Sequence, residues 1–445
     1  MDLHVLAIGG VGSLLSLLAL RVPIATALLA VGIVGLTIMF IVLGMSDTVG
    51  GALVQTVSFL SRDTYSFIAS FSLMAVPMFL LMGSFAFHCG ATSDAFRTAR
   101  LWLSRLPGGL ALASIVGSGM FAAISGSSLA TASTMGRIAV PEMLKYGYSK
   151  SLAAGAVAAG GTLGALIPPS ILMIVYGVFT EQSIGKLLIA GLIPGLLTAA
   201  MYMLGILIKV YFDPSSAPAV EHRVTWSERF SSLNGTGQFL ILFILVMGSI
   251  YTGFATPTEA AAIGAAGILI IGLLRRRMSS DSIRRSITDT AKQTAMIFAI
   301  AIGAKAFVGF IAFTGVATDL ATMVNGWGLP PLAVMLLLSL VYIVLGMFMD
   351  PLGIMLLTLP VVVPTIQALG FDLIWFGVIM VKYLEIGMIT PPVGLNVFVL
   401  KAAVGKTIQL EQIFRGVTLF LVMDVITLAI LIGFPEITLW LPSLM

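Results

Sequence analysis

Two short polar runs break otherwise apolar stretches of this chain: Ser125-Gly126-Ser127-Ser128 and Asp350-Pro351-Leu352-Gly353. Two Pro-Pro pairs do the same, in Leu166-Ile167-Pro168-Pro169-Ser170 and Ile389-Thr390-Pro391-Pro392-Val393. The chemistry these residues offer is ion binding. Proline lacks an N–H and clashes with the preceding turn, so a Pro-Pro pair leaves carbonyls without helical partners. In hydrocarbon such carbonyls are costly unless protein, water or an ion satisfies them. C-terminal half-helix ends expose carbonyls that suit Na⁺, and N-terminal ends expose N–H groups that suit a carboxylate. Serine hydroxyls add oxygen ligands, and glycine lets the backbone approach closely. No carboxylate lies between Ala122 and Thr134. A cation there would rely on carbonyl and hydroxyl oxygens, as hard cations can. Asp350 differs, because an acid inside a span is costly and marks an ion or proton path. It also suits a helix cap with Pro351 in the first turn, and ligand and cap would use different oxygens. Thr390 and Asn396 are polar lining beside the second Pro-Pro break.

These breaks recur at matched places. Both Pro-Pro pairs follow another proline by 27 residues (Pro141, Pro364) and a glycine by 21 (Gly147, Gly370). Gly164 and Gly387 share the same interval of 223. The chain therefore carries two copies of one unit, each with a helix broken in the membrane. That pattern points to the binding site of a secondary transporter.

Composition fixes the class. Apolar residues make up 59% and charged residues 9%, against about 25% charged in soluble domains. Apolar stretches long enough to span recur throughout, which predicts an all-α polytopic membrane protein. The opening segment Leu3 to Leu20 lacks a basic n-region and reads as a span, not a cleavable leader. The one cysteine, Cys89, excludes an internal disulfide framework. Three histidines make a His-rich catalytic metal site a poor expectation. The net charge of +4 comes from short loops and does not indicate nucleic acid.

Lys and Arg concentrate in cytoplasmic loops and so orient the spans. The cluster Arg275-Arg276-Arg277 with Arg284 and Arg285 is placed inside, with Lys209, Arg223 and Arg229 upstream. Lys145, Lys150, Arg97, Arg100 and Arg105 join them if residues 108–143 form a re-entrant hairpin on the cytoplasmic side. No Lys or Arg lies between Ala306 and Val381, so a second hairpin, 331–368, should enter from the opposite side. Eighteen of the 23 basic residues then fall inside, with both termini periplasmic. The copies would be inverted, the architecture of alternating-access carriers, with sites near the bilayer midplane. The expected organisation is an N-terminal scaffold (1–62), then transport repeat 1 (63–185, broken helix 151–183). Central scaffold spans (186–290) separate it from transport repeat 2 (291–405, broken helix 373–400). A C-terminal scaffold span (406–445) closes the chain. The stretch Ala153 to Gly161, rich in Ala and Gly, reads as helix packing.

Other intramembrane charges are weaker signals. Lys382 and Glu385 are three apart and can pair. Lys305 suits an anionic substrate, a snorkelling side chain or an ion pair. Arg137 could grip a carboxylate bidentately, or serve structurally near Lys145. Glu259, after Thr256-Pro257-Thr258, reads as a cap. Asp424 stands alone in the last span.

At these residues the chain resembles the large membrane subunit of tripartite ATP-independent periplasmic (TRAP) transporters, the DctM-like group. The resemblance runs through Gly117-Ser118-Gly119-Met120-Phe121-Ala122-Ala123-Ile124-Ser125-Gly126-Ser127-Ser128 and Gly160-Gly161-Thr162-Leu163-Gly164 with Ile167-Pro168-Pro169-Ser170. It continues through Thr256-Pro257-Thr258-Glu259 and Met349-Asp350-Pro351 to Thr390-Pro391-Pro392-Val393-Gly394-Leu395-Asn396. It implies a Na⁺-coupled elevator carrier in a bacterial inner membrane, working with a small four-helix membrane subunit and a periplasmic substrate-binding protein. It implies an organic acid as substrate: a C4-dicarboxylate, keto acid or sialic acid. By the motif match, Ser125, Gly126, Ser127, Gly164 and Pro168 would line one Na⁺ site. Asp350, Gly387, Thr390 and Pro391 would line the other. The substrate would sit between the hairpin tips, with Ser127, Ser128, Ser170, Arg137 and Asn396 as candidates to meet it. A stand-alone Na⁺- or H⁺-coupled anion carrier, a channel and an intramembrane enzyme are the rival readings. No His cluster or paired Asp motif supports the enzyme.

Overall fold

A computed structural model describes residues 3–218, 224–326 and 328–445. Arg223, placed above in a cytoplasmic loop, lies outside the described residues. These are all helical or loop, with no strand among them. The first helices are α1 (Leu3–Ala19), α2 (Ile24–Val42) and α3 (Val49–Ile68), then α4 (Ala75–His88) and α5 (Ala91–Leu103). The first hairpin is α6 (Gly109–Ser125) and α7 (Ser128–Lys145), and the first interrupted helix is α8 (Lys150–Leu166) with α9 (Ile171–Thr180). Next come α10 (Ile184–Phe212), α11 (Trp226–Tyr251), α12 (Pro257–Leu274), α13 (Ser280–Thr314) and α14 (Val316–Gly326). The second hairpin is α15 (Pro331–Gly346) and α16 (Pro351–Ala368), and the second interrupted helix is α17 (Leu373–Ile389) with α18 (Leu395–Val404). α19 (Leu410–Gly433) and the single turn α20 (Glu436–Leu439) end the chain. Nine helices among the described residues are long and apolar enough to cross a membrane.

The two copies fold alike. α7 and α16 begin and end 223 residues apart, and so do α8 and α17. The cause is local chemistry. Each returning hairpin arm starts on a side chain that accepts a backbone N–H, Ser127 for α7 and Asp350 for α16, as helix starts require. Each interrupted helix stops at a Pro-Pro pair, whose peptide bond is cis in both copies. The hairpin arms hold 17, 18, 16 and 18 residues. At 1.5 Å per residue that is roughly 24–27 Å, short of the roughly 30 Å hydrocarbon core.

The interruptions are shorter than the sequence suggests. Gly164 and Gly387 remain inside α8 and α17, and the breaks begin at Ile167 and Thr390. The two glycines are contact points instead. A Cβ on Gly164 would lie 2.7 Å from the carbonyl carbon of Ser127, and one on Gly387 would lie 2.5 Å from Gly346 Cα. Only glycine allows each interrupted helix to press against its hairpin. The Ala/Gly run of α8 packs as its composition suggests, buried throughout. There Gly155 meets the backbone of Gly416 in α19 with no room for a Cβ.

α10 and α19 lie directly on the interrupted helices, α19 along α8 through Gly155–Gly416 and α10 on α8 through Gly191 and Leu166. Charges in the loops also meet: Arg275 and Arg277 bind Asp94 at 3.0 and 2.7 Å. Those pairs put the start of α5 beside the end of α12, so these basic loops share one side. The helix start at Thr256 is a full capping box with Glu259, and Pro257 sits in its first turn.

Candidate functional site

Both hairpin tips and both interruptions converge on one cavity of about 110 Å³. Gly126, Ser127, Ser128 and Leu129 line it from the first tip, and Asp350, Pro351 and Leu352 from the second. Ala165, Ile171 and Leu172 flank the first interruption, Met388 the second, and Gln293, Met296 and Ile297 come from α13. Larger cavities of about 420 and 280 Å³ lie elsewhere, but apolar side chains line almost all of both. The polar groups needed to orient a charged ligand converge only at the tips among these three.

The first tip is built on Gly126. It ends α6 with φ +60°, a left-handed conformation that glycine adopts without penalty. A Cβ there would strike the carbonyl oxygen of Pro169, so the tip and the Pro-Pro segment lie backbone to backbone. Ser127 caps α7 by accepting from Ala130 N at 3.4 Å, and its carbonyl accepts from Thr131 Oγ1 at 2.8 Å. Ser125 Oγ lies 3.3 Å from the same threonine hydroxyl. Ser170 caps α9, accepting from Met173 N at 3.2 Å and donating to the carbonyl of Ala165. Four hydroxyls and several carbonyls thus surround the first break, a donor set that suits Na⁺.

At the second tip, Asp350 accepts from Gly353 N at 3.0 Å. The cap role is therefore realised, and the carboxylate also lines the cavity. Thr390 Oγ1 donates to Ile386 O at 2.6 Å. Pro168 and Gly387 are buried, while Pro391 is exposed.

The structure brings Ser127, Ser128 and Asp350 to one cavity, with Gly126 between the first tip and Pro169. Arg137 is exposed on α7, ten residues from Ser127, about 15 Å along the helix, and does not line the cavity. Asn396 is buried inside α18, its amide 3.5 Å from Ala158 O, and also lies away from the cavity. Gln293 is a cavity residue that the sequence reading misses. Its signal is a polar side chain on α13 eight residues after Arg285, which the basic cluster upstream obscures.

The remaining intramembrane charges have partners. Lys382 pairs with Glu385 at 3.2 Å, as their spacing suggests, and also with Asp424 at 2.6 Å. Lys305 lies over the rings of Phe67 and Phe179.

The family model described as "Tripartite ATP-independent periplasmic transporter, DctM component" matches residues 11–437. The C4-dicarboxylate TRAP transporter large permease protein DctM of Pseudomonas aeruginosa is 37% identical over 84% of this chain and 86% of its own length. The sialic acid TRAP transporter large permease protein SiaM of Vibrio cholerae is 32% identical over 87% of this chain and 90% of its own. In fold the chain is similar to the Alcanivorax borkumensis YdaH transporter, with a TM-score of 0.58 at 16% identity, covering 85% of this chain and 89% of that one. The spans, the matched interrupted helices and these relatives agree: the chain is a multi-pass membrane protein and belongs to the DctM component family of tripartite ATP-independent periplasmic transporters.

Proposed function

We propose that this chain is the translocating subunit of a Na⁺-coupled importer of an organic acid anion. The observation that carries the reading is the cavity shared by both hairpin tips. N-terminal helix ends at Ser127, Ser170 and Asp350 lie at or beside it. Their free N–H groups and positive dipole ends favour a carboxylate. Asp350 opposes an anion until a cation neutralises it, so cation binding at the second tip favours substrate binding. Ser125, Gly126, Ser127, Gly164 and Pro168 frame one Na⁺ position, and Asp350, Gly387, Thr390 and Pro391 the other. Two or more Na⁺ ions would then accompany each anion. Each Na⁺ crossing a full 100 mV contributes roughly 2.3 kcal/mol. Ser127 and Ser128 are the hydroxyl-bearing residues of the cavity wall that this arrangement favours for the substrate.

In this reading the two copies are inverted and move as one body in an elevator cycle. That body comprises the hairpins and interrupted helices, and the first helices with α10, α11, α12 and α19 form the frame against which it moves. The chain works in a bacterial inner membrane with both termini periplasmic. A small four-helix subunit and a periplasmic binding protein are its partners. The relatives carry C4-dicarboxylate and sialic acid names, so the anion is proposed by class alone.

Asp350→Ala tests the reading in proteoliposomes holding the chain, its small subunit and its binding protein. Na⁺-dependent uptake should disappear while the assembly still purifies intact. Undiminished Na⁺-driven uptake in that variant would remove Asp350 from the mechanism.

A further inference from the structure

Six fully buried side chains form one polar cluster that the proposed ion chemistry does not use: Lys382, Glu385, Asp424, Tyr202, Thr162 and Thr198. Lys382 Nζ lies 2.6 Å from Asp424 Oδ1, 3.2 Å from Glu385 Oε2 and 3.3 Å from Thr198 Oγ1, which commits all three of its hydrogens. The Tyr202 hydroxyl donates to Asp424, 2.7 and 2.8 Å from its two oxygens. With that hydrogen committed, Thr162 must be the donor in its 3.1 Å contact with the Tyr202 oxygen. The same threonine hydrogen also has the Ala159 carbonyl within reach, at 2.7 Å. Thr162 therefore has two acceptors and one hydrogen.

The cluster's placement in the chain carries the argument. Thr162 stands two residues before Gly164 in α8, and Glu385 two residues before Gly387 in α17. The two are 223 residues apart, the interval that relates the copies. One cluster therefore touches the same register of both interrupted helices, just ahead of each break. It reaches them through Tyr202 and Thr198 of α10 and Asp424 of α19. A buried pair of this kind has few alternative arrangements, because losing a partner leaves an unpaired charge out of water. A shift at the end of α8 must be met by Thr162, then Tyr202 and Asp424, then Lys382 and Glu385.

We infer that this cluster positions the two interruptions relative to each other, so that a cation bound in one copy alters the affinity of the other. Lys382, Tyr202 and Thr162 are positioning residues; none touches the cavity. The inference rests on the Na⁺-coupled reading above. Its discrete element is the choice of acceptor at Thr162, the kind of two-state feature that both sites can bias.

The test needs no substrate. The purified chain in detergent is titrated with Na⁺, choline holding the ionic strength, and followed by calorimetry. Two coupled sites give a Hill coefficient above one, with a ceiling of about 2 for two sites. Tyr202→Phe removes one oxygen and keeps the ring packed against Phe420. It should bring the coefficient close to one and shift half-saturation by about fivefold, the lower end of typical coupling. Thr162→Val cuts the same path from the α8 side and serves if Tyr202→Phe does not fold. Na⁺ binding with unchanged cooperativity in the folded variants, even with a lower melting temperature, overturns the inference and leaves the coupling reading standing. Non-cooperative binding in the unsubstituted chain overturns it too. No Na⁺ binding in the unsubstituted chain overturns the coupling reading itself, and the inference with it.

Discussion

Gly164→Ala is the sharpest probe of the first tip. The added methyl would lie 2.7 Å from Ser127 C, 2.8 Å from Ser127 O and 2.9 Å from Ser128 N. All three are backbone atoms, so no side-chain rotation relieves the clash. Either the hairpin tip or α8 must move by several tenths of an ångström. Forcing an extra methylene into a packed site costs about 1–3 kcal/mol. If the tip moves, that energy is withdrawn from the proposed Na⁺ site, a weakening of about 5- to 150-fold at 1.4 kcal/mol per tenfold. A control is available in Gly248→Ala in α11, where a Cβ meets nothing within 4 Å. Helix propensity there favours alanine by about 0.5–1 kcal/mol. Na⁺ titrations and thermal melts of both variants would decide the matter. Gly248→Ala should match the unsubstituted chain in Na⁺ affinity, and Gly164→Ala should bind Na⁺ far more weakly. Equal Na⁺ affinity in the two variants would show that the tip is not seated on α8, and the reasoning about the first site would collapse.

Asp350→Asn separates charge from capping. Asparagine caps a helix as well as aspartate does, whereas alanine costs about 1 kcal/mol, so the Asn variant should melt like the unsubstituted chain yet lose Na⁺-driven uptake; retained uptake would mean the cap is the residue's whole role. Lys382→Met strands two buried carboxylates and should cost about 3–5 kcal/mol, seen as a large drop in melting temperature. Adding Asp424→Leu to it removes one of those carboxylates and should restore part of the loss, and a double variant no more stable than Lys382→Met would refute the pairing.

Much of this fold is visible in the sequence because proline and glycine act on their own backbone. The Pro168-Pro169 and Pro391-Pro392 pairs stop α8 and α17 by removing N–H donors, whatever surrounds them. Asp350 followed by Pro351 starts a helix for equally local reasons. What escapes a linear reading is set by packing. Gly164 and Gly387 look like breaks but are helical, because the requirement they meet comes from another segment's backbone. Asp424 appears solitary because its partners, Tyr202 and Lys382, lie on two other helices. Arg137 looks like a ligand by residue type, yet the rotation of α7 turns it outward. Gln293 reaches the cavity from a helix outside both hairpins, so no repeat spacing marks it. α10 and α19 read as ordinary spans, and close contacts such as Gly191 on Leu166 and Gly155 on Gly416 are what reveal that both pack on α8.

Where Gly346 meets Gly387, two main chains touch with no side chain between them. Such a seam has nothing to interlock and nothing to spare. Any side chain larger than hydrogen on either helix acts as a wedge, and its thickness is transmitted straight to the loop holding Asp350. A polarity scan is blind at this spot, since glycine and alanine differ little in hydropathy. Yet the tolerance there is smaller than one methyl group, and a conservative-looking exchange would pry the second hairpin off its seat.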